Sequence, residues 1–109
     1  KDMIISGGIN VYPREIEIIL EDHDAVVECT VFGVPDDKWG EAITAVVVLK
    51  QGESLTPETL MERCRPKLGG VKSPKSVEFW DAIPKTSVGK TDKKAIRAKF
   101  WGDRERAVN

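Results

Sequence analysis

Gly89 and Lys90 stand together near the end of the chain, just before a predicted helix. A lysine at this place puts a positive charge beside the outward-pointing N–H groups of a helix N-terminus, which suits a carboxylate or phosphate oxygen. The pair is not part of a P-loop, because that motif has a glycine five positions earlier and this chain has Pro84 there. The residues alone leave two interpretations, an anion site for acyl or phosphoryl transfer and a solvated basic loop.

The other residue types that could do chemistry give weaker patterns. Gly7 and Gly8 lack the third glycine of a dinucleotide-binding motif. His23 is the only histidine and has no serine or cysteine at motif spacing, which favours a structural or surface role. Cys29 and Cys64 are too few for a disulfide framework and lack metal-ligand spacing. We therefore expect both to be buried as small apolar residues. The small number of cysteines is typical of a protein in the reducing cytosol.

Length and composition limit the class of protein. The chain has 109 residues, of which 40% are hydrophobic and 32% charged, so it is expected to form one globular domain rather than a multidomain enzyme or a disordered chain. No apolar run approaches the roughly 18 residues of a membrane helix, and no secretory signal pattern is visible. The sequence begins with lysine rather than methionine, so we expect a fragment of a longer protein. We expect that protein to be cytoplasmic.

Charge is divided unevenly along the chain. Residues 1–54 carry 4 basic and 11 acidic side chains, whereas residues 55–109 carry 13 basic and 7 acidic ones. Such asymmetry favours one surface that attracts anions, with nucleic acid, nucleotide and phosphorylated cofactor as candidates. The alternative is a set of solvated helix faces of opposite sign.

The elements that must position these residues follow the order β-α-β-β-α-β-α. Periodicity and turn residues predict strands at 3–5, 26–34, 42–50 and 76–80, helices at 13–22 and 57–70, and a last helix capped by Thr91 or Asp92. The connection between the second and third strands is shorter than about ten residues, which favours an antiparallel pair. We expect an α+β fold, in which helices pack on a small, mostly antiparallel three-stranded sheet with a short N-terminal strand or hairpin beside it.

Three segments carry a resemblance to a known family. They are KDMIISGGINVYPREIE at 1–17, VFGVPDDKWGE at 31–41 and IPKTSVGK at 83–90. In this order and spacing they resemble the small C-terminal domain of adenylate-forming enzymes, which include acyl- and aryl-CoA synthetases, nonribosomal adenylation domains and luciferases. The likeness is greatest to bacterial fatty-acyl-CoA ligases. It implies that residues 1–109 form a single C-terminal lid domain, with a large N-terminal domain outside this sequence.

The resemblance implies roles for particular residues. Lys90 matches the catalytic lysine, which bridges the substrate carboxylate and the α-phosphate while the acyl-adenylate forms. Lys1 matches the hinge about which the small domain rotates between two catalytic poses. Gly7 and Gly8 match the glycine loop that lies beside the pantetheine channel in the second pose.

Other positions match the family less directly. Lys72, Lys75 and Lys85 are candidates to meet the phosphates of CoA or of the nucleotide, with solvated charge as the alternative. Val71 departs from the aromatic residue that usually opens this segment. Trp39-Gly40-Glu41 matches the family as well, and an architectural turn explains it at least as well as a functional role.

The function implied is part of an AMP-forming ligase that converts a carboxylic or fatty acid, ATP and CoA into acyl-CoA, AMP and pyrophosphate. ATP and CoA are then substrates, and Mg²⁺ is expected mainly on the N-terminal domain, which is the partner of this chain. We expect no metal site here, no nucleic-acid partner, no membrane segment, and no synthetase activity of the isolated chain. Two alternatives stay open: a fragment of an adenylation domain that loads a carrier protein, and a non-enzymatic anion- or nucleic-acid-binding module.

Overall fold

The chain forms five strands and three helices, which the computed structural model describes over residues 3–108, with side chains over residues 3–100. The elements in order are β1 (Ile4–Ser6), β2 (Ile9–Val11), α1 (Pro13–Glu21), β3 (Val26–Asp36), β4 (Gly40–Leu49), α2 (Pro57–Lys72), β5 (Ser76–Phe79) and α3 (Lys93–Val108). The predicted α+β class is confirmed. The hinge prediction at Lys1 lies outside the described residues.

The main sheet has the strand order β3-β4-β5. β3 and β4 pair antiparallel from Val26↔Leu49 to Asp36↔Gly40, as their short connection predicts. β4 and β5 pair parallel instead, because α2 forms a crossover between them and returns the chain in the same direction. The central strand β4 is buried from Ile43 to Val48, which explains its almost uninterrupted apolar sequence.

Helices cover both faces of this sheet, so the core has two parts. The first part is formed with α1 and α2 and includes Ile16, Leu20, Val31, Leu60 and Cys64. The second is formed with α3 and includes Phe32, Val46, Val48, Ile83 and Ile96. Because consecutive residues of a strand point to opposite faces, Val31 enters the first part and Phe32 the second. The domain is therefore a three-layer arrangement with the sheet in the middle.

The two helices on the first face begin and end at residues that the sequence marks. Pro57 opens α2, and the hydroxyl of Thr56 accepts a hydrogen bond from the Thr59 N–H at 3.2 Å. Gly69 interrupts α2 with a φ of 82°, so the predicted end at this glycine marks a break, after which one more turn continues to Lys72. Within residues 3–108, no helix is both long enough and apolar enough to cross a membrane.

Candidate active site

Lys90 lies at the end of a tight loop that closes on itself. The Thr86 N–H donates to the Lys90 carbonyl at 2.7 Å, and the Gly89 N–H donates to the Thr86 carbonyl at 2.9 Å. The Thr86 hydroxyl accepts a further bond from the Lys90 N–H at 3.3 Å. Gly89 has a φ of 87°, a conformation that L side chains rarely adopt. The segment from Thr86 to Lys90 is therefore a preformed turn, which we call the lysine loop.

The chain is fixed to the body of the domain on each side of the lysine loop. Ile83 before it and Ile96 after it are both buried in the second part of the core. A β-bridge joins Lys85 to Thr91 and closes the base of the loop. Asp92 then caps α3, since its carboxylate accepts a hydrogen bond from the Ala95 N–H at 3.0 Å. The predicted cap and the predicted loop are both present.

The ammonium of Lys90 points away from the packed interior. The residue is exposed, and the described part of the chain places no carboxylate within ion-pair distance of its Nζ. Its positive charge is thus available to a ligand, whereas burial or an internal ion pair would have excluded that role. The structure leaves the anion-site interpretation of the lysine loop intact.

Two carboxylates contact the basic residues on either side of the lysine loop. Glu28 of β3 accepts hydrogen bonds from the Lys85 ammonium at 3.0 and 3.3 Å. Glu17 of α1 lies 3.8 Å from the ammonium of Lys93, the first residue of α3. The same Glu17 carboxylate accepts a hydrogen bond from the Val31 N–H at 3.0 Å, so it also binds the outer edge of β3.

Gly7 and Gly8 form the two-residue turn of the β1–β2 hairpin, where Ser6 pairs with Ile9. Their φ values are 58° and 78°, as a tight hairpin turn with positive φ at both positions requires. The Gly7 N–H donates to the Trp39 carbonyl at 2.9 Å. A Cβ on Gly7 would lie 3.2 Å from the Trp39 ring, whereas one on Gly8 would have no described atom within 4 Å. The turn thus packs against Trp39 at Gly7, where there is little room for a side chain, and Gly8 faces open space.

Lys75 has a structural role beside this glycine turn. Its ammonium donates to the carbonyls of Gly70, Val71 and Ser73 at 2.9–3.0 Å, which satisfies oxygens at the end of α2. It also lies 4.5 Å from the centre of the Trp39 ring. Burial lowers the pKa of Lys75. Three carbonyls occupy the three donors of this ammonium, so a phosphate could bind Lys75 only by displacing one of these bonds.

The predicted phosphate-contact lysines do not form one cluster. Lys72, at the end of α2, lies 3.8 Å from the Glu15 carboxylate, and Lys85 binds Glu28. Lys72 and Lys75 belong to the segment that contacts the glycine turn, where Val71 would meet a Cβ on Gly7 at 3.7 Å. Lys85 belongs to the base of the lysine loop. A phosphate role for each of them remains a prediction.

The lysine loop and the glycine turn lie at opposite ends of β3. Lys85, at the base of the lysine loop, contacts Glu28 near the start of the strand, whereas Trp39 follows Asp36 at its end. The eight residue-to-residue steps from Glu28 to Asp36 span about 25 Å of extended strand. This distance is comparable with the domain itself, whose principal extents are 40 × 35 × 25 Å. One small substrate therefore cannot contact both ends at once.

The segment from Trp39 to Glu41 has an architectural role. Trp39 closes the β3–β4 turn, where its N–H donates to the Asp36 carboxylate at 2.8 Å. Gly40 has a φ of 81°. The Glu41 carboxylate lies directly over Gly33, where an added Cβ would clash with Oε1. The glycine at position 33 thus leaves the space that Glu41 occupies.

The uneven charge of the two halves becomes pairing in the folded chain. Basic residues from the second half contact acidic residues from the first in the pairs Lys72–Glu15, Lys85–Glu28, Lys93–Glu17 and Arg63–Asp22. The asymmetry therefore does not by itself indicate a basic surface for nucleic acid. Among the described residues, no three His, Cys, Asp or Glu side chains cluster in a way that could hold a metal ion.

Glu17 and Glu28 contact the chain on either side of the lysine loop, and reasoning from the sequence did not identify them. Each lies in an element far from the lysine loop along the chain, 57 positions away for the Glu28–Lys85 contact. The resemblance to the family assigns no functional role to either residue. No sequence signal would have linked them to Lys90, because the contacts depend on how α1 and β3 pack beside α3.

The fold and the sequence place the chain in a known family of small C-terminal domains. The family model described as the AMP-binding enzyme C-terminal domain matches residues 15–90, and the chain belongs to this family. The match contains Lys72, Lys75, Lys85 and Lys90, whereas the glycine turn precedes it.

Several curated relatives match nearly the whole chain. It is 47% identical over 116 aligned positions to the medium/long-chain-fatty-acid–CoA ligase FadD8 of Mycobacterium tuberculosis, covering 99% of this chain and 20% of that protein. It is 43% identical to the fatty acid–[acyl-carrier-protein] ligase ScoC of Streptomyces coeruleorubidus, covering 100% of this chain and 21% of that protein. The chain therefore spans about a fifth of the length of these relatives.

A solved structure supports the same relationship. The ATP-bound MatB of Rhodopseudomonas palustris superposes with a TM-score of 0.88 at 38% identity, over 92% of this chain and 20% of that one. The arrangement of three helices around a mixed sheet is thus the fold of this family.

Proposed function

We propose that this chain is the mobile C-terminal domain of an AMP-forming acyl-CoA synthetase that activates a carboxylic acid, with a fatty acid as the substrate class. The observation that supports it best is the separation of the exposed Lys90 from the Gly7–Gly8 turn at opposite ends of β3. A domain with two distant functional ends serves two reaction steps if it presents them to the active site in turn. Similarity to FadD8 supports the choice of acid.

In the first step, the Lys90 end faces the active site. A carboxylate oxygen of the acid attacks the α-phosphorus of ATP, the bond to pyrophosphate breaks, and acyl-AMP forms. The two reactants are both anionic, so they repel each other on approach. The Lys90 ammonium reduces this repulsion and stabilises the charge that develops in the transition state. Its exposure and its freedom from described carboxylates support this role.

In the second step, the glycine turn faces the active site. The sulfur of CoA attacks the acyl carbon, the bond to AMP breaks, and the thiol proton leaves. A thin pantetheine arm must pass close to the backbone, where Gly8 presents no side chain and has no described neighbour within 4 Å. Lys72 is the remaining candidate on this side for a CoA phosphate. A hinge at Lys1 would allow the rotation between the two steps.

The test is to substitute Lys90→Ala in the full-length synthetase and to measure the two half-reactions separately. The rate of acyl-adenylate formation, measured by pyrophosphate exchange, is expected to fall about 100- to 1,000-fold, because one charged contact in the transition state is lost. Thioester formation from supplied acyl-AMP is expected to stay close to the rate of the unsubstituted enzyme. Lys67→Ala, which removes an exposed lysine from α2, serves as the matched control. Equal loss of both half-reactions would contradict the role of Lys90.

A second candidate differs only in the thiol that accepts the acyl group. The 43% identity to ScoC favours a carrier protein as acceptor. The two candidates are distinguished by giving the enzyme with its bound acyl-adenylate either CoA or a phosphopantetheinylated carrier protein, and by comparing the rates of thioester formation. Preference for the carrier protein would replace CoA in this proposal and leave the first step unchanged.

A further inference from the structure

Hydrogen bonds within the lysine loop define its shape, and ion pairs on either side of it reach the body of the domain. Its internal hydrogen bonds fix the path from Thr86 to Lys90, and Ile83 and Ile96 anchor the chain outside it. Between these anchors, two ion pairs join the chain to the body of the domain, Lys85 with Glu28 and Lys93 with Glu17. They lie on the two sides of the loop, one before it and one after it.

The two carboxylates come from different elements, so together they restrict rotation of the loop. Glu28 lies on β3 and binds the base of the loop, with Oε1 and Oε2 at 3.0 and 3.3 Å from the Lys85 ammonium. Glu17 lies on α1, is only 12% exposed, and is itself held by the Val31 N–H. The buried Ile83 and Ile96 fix the backbone on both sides of the loop, and the two ion pairs add restraints at two different places along it.

From this geometry we propose that Glu17 and Glu28 are positioning residues for Lys90, an inference that rests on the function proposed above. They do not touch the substrate. They hold the base of the lysine loop and the start of α3 so that the Lys90 ammonium enters the active site in one orientation. Catalysis by an electrostatic group depends on its placement, and a displacement of about 1 Å is enough to slow a reaction.

The size of the expected effect follows from the exposure of the pair. Lys85 and Glu28 are 38% and 35% exposed, so water and salt weaken their attraction. Half-exposed ion pairs of this kind change an equilibrium by at most about fivefold. Loss of the pair is therefore expected to lower the rate constant of adenylation by up to about fivefold, without preventing folding.

The experiment uses the full-length synthetase with Glu28→Gln and Lys85→Met as single variants. These substitutions change the local charge in opposite directions. A loss of adenylation activity in both variants would therefore result from a displaced Lys90 rather than from a changed electric field. Each is expected to lower kcat for acyl-adenylate formation by up to about fivefold, and Glu28→Gln is expected to leave the KM for ATP and thioester formation from supplied acyl-AMP within about twofold of the parent. The exchanged pair, Glu28→Lys with Lys85→Glu, is expected to recover most of the loss. Glu17→Gln, which keeps the acceptor for the Val31 N–H, is expected to act in the same direction.

Two controls separate positioning from general destabilisation. Asp22→Asn removes a comparable ion pair with Arg63, at 2.9 Å and away from the lysine loop, and is expected to leave both half-reactions unchanged. In a Lys90→Ala background, Glu28→Gln is expected to cause no further loss of adenylation, because it acts through Lys90.

The results that overturn the inference are distinct from those that overturn the proposed function. Three results would each refute positioning by Glu28. They are full adenylation activity of Glu28→Gln, a similar loss in both half-reactions, and a loss that is undiminished in the Lys90→Ala background. In those cases a slow Lys90→Ala enzyme would still support the role of the lysine. A Lys90→Ala enzyme with normal adenylation would refute both.

Discussion

Gly7 and Gly8 are neighbours in one turn, yet alanine is expected to affect them differently. Both have positive φ, 58° and 78°, so each substitution costs about 1 kcal/mol of backbone strain. Only at Gly7 does the new Cβ also meet the Trp39 ring, at 3.2 Å, and the crowding is expected to add about 1 kcal/mol. We expect Gly8→Ala to lower the free energy of unfolding by about 1 kcal/mol and Gly7→Ala by about 2 kcal/mol.

The measurement is urea unfolding of the 109-residue chain, followed by tryptophan fluorescence. The difference between the two variants is the part that Trp39 causes, and a double-mutant cycle isolates it. In a Trp39→Ala background, Gly7→Ala and Gly8→Ala are expected to become equally destabilising. Equal effects in the parent chain, or a difference that persists without the indole, would refute the contact between the turn and Trp39.

The same two variants separate stability from function in the full-length synthetase. Gly8→Ala is expected to slow thioester formation although it perturbs the fold less, because its methyl group occupies the open space beside the turn. Gly7→Ala displaces the turn as a whole. A thioester rate that follows stability in both variants would place the pantetheine path elsewhere.

Two further predictions concern the body of the domain. Thr56→Ala removes the acceptor of the Thr59 N–H at the start of α2 and is expected to lower the free energy of unfolding by about 1 kcal/mol in the same urea assay; an unchanged midpoint would refute the cap. Burial raises the pKa of the Cys64 thiol to about 11 and that of the buried Cys29 thiol further, so at pH 8 both are protonated and shielded. Labelling by an aromatic disulfide reagent is therefore expected to follow unfolding, and fast labelling of the native chain would contradict the burial.

Much of the fold follows from local sequence signals. Pro13 and Pro57 open helices, and the apolar runs that became β3 and β4 carry β-branched residues. The antiparallel pairing of these strands follows from the short connection between them. The parallel position of β5 was not predicted, because the direction of a strand after a helical crossover depends on how that helix packs on the sheet.

The candidate site was predictable residue by residue but not as an arrangement. The motif around Lys90 and the pair Gly7–Gly8 are visible in the sequence, since a resemblance to a family carries residue types at fixed spacing. Their location at opposite ends of β3 is not visible, because it depends on which strand each loop meets. The contacts of Glu28 and Trp39 with these loops are also long-range, so they appear only in the folded chain.

The length of β3 has an evolutionary consequence. Substitutions around Trp39 alter the surroundings of the glycine turn, and about 25 Å of paired strand isolates them from the lysine loop. Under the function proposed above, local changes at the Trp39 end would alter the step in which the acceptor reacts. The lysine loop at the other end of β3, and the adenylation step proposed for it, would be inherited unchanged.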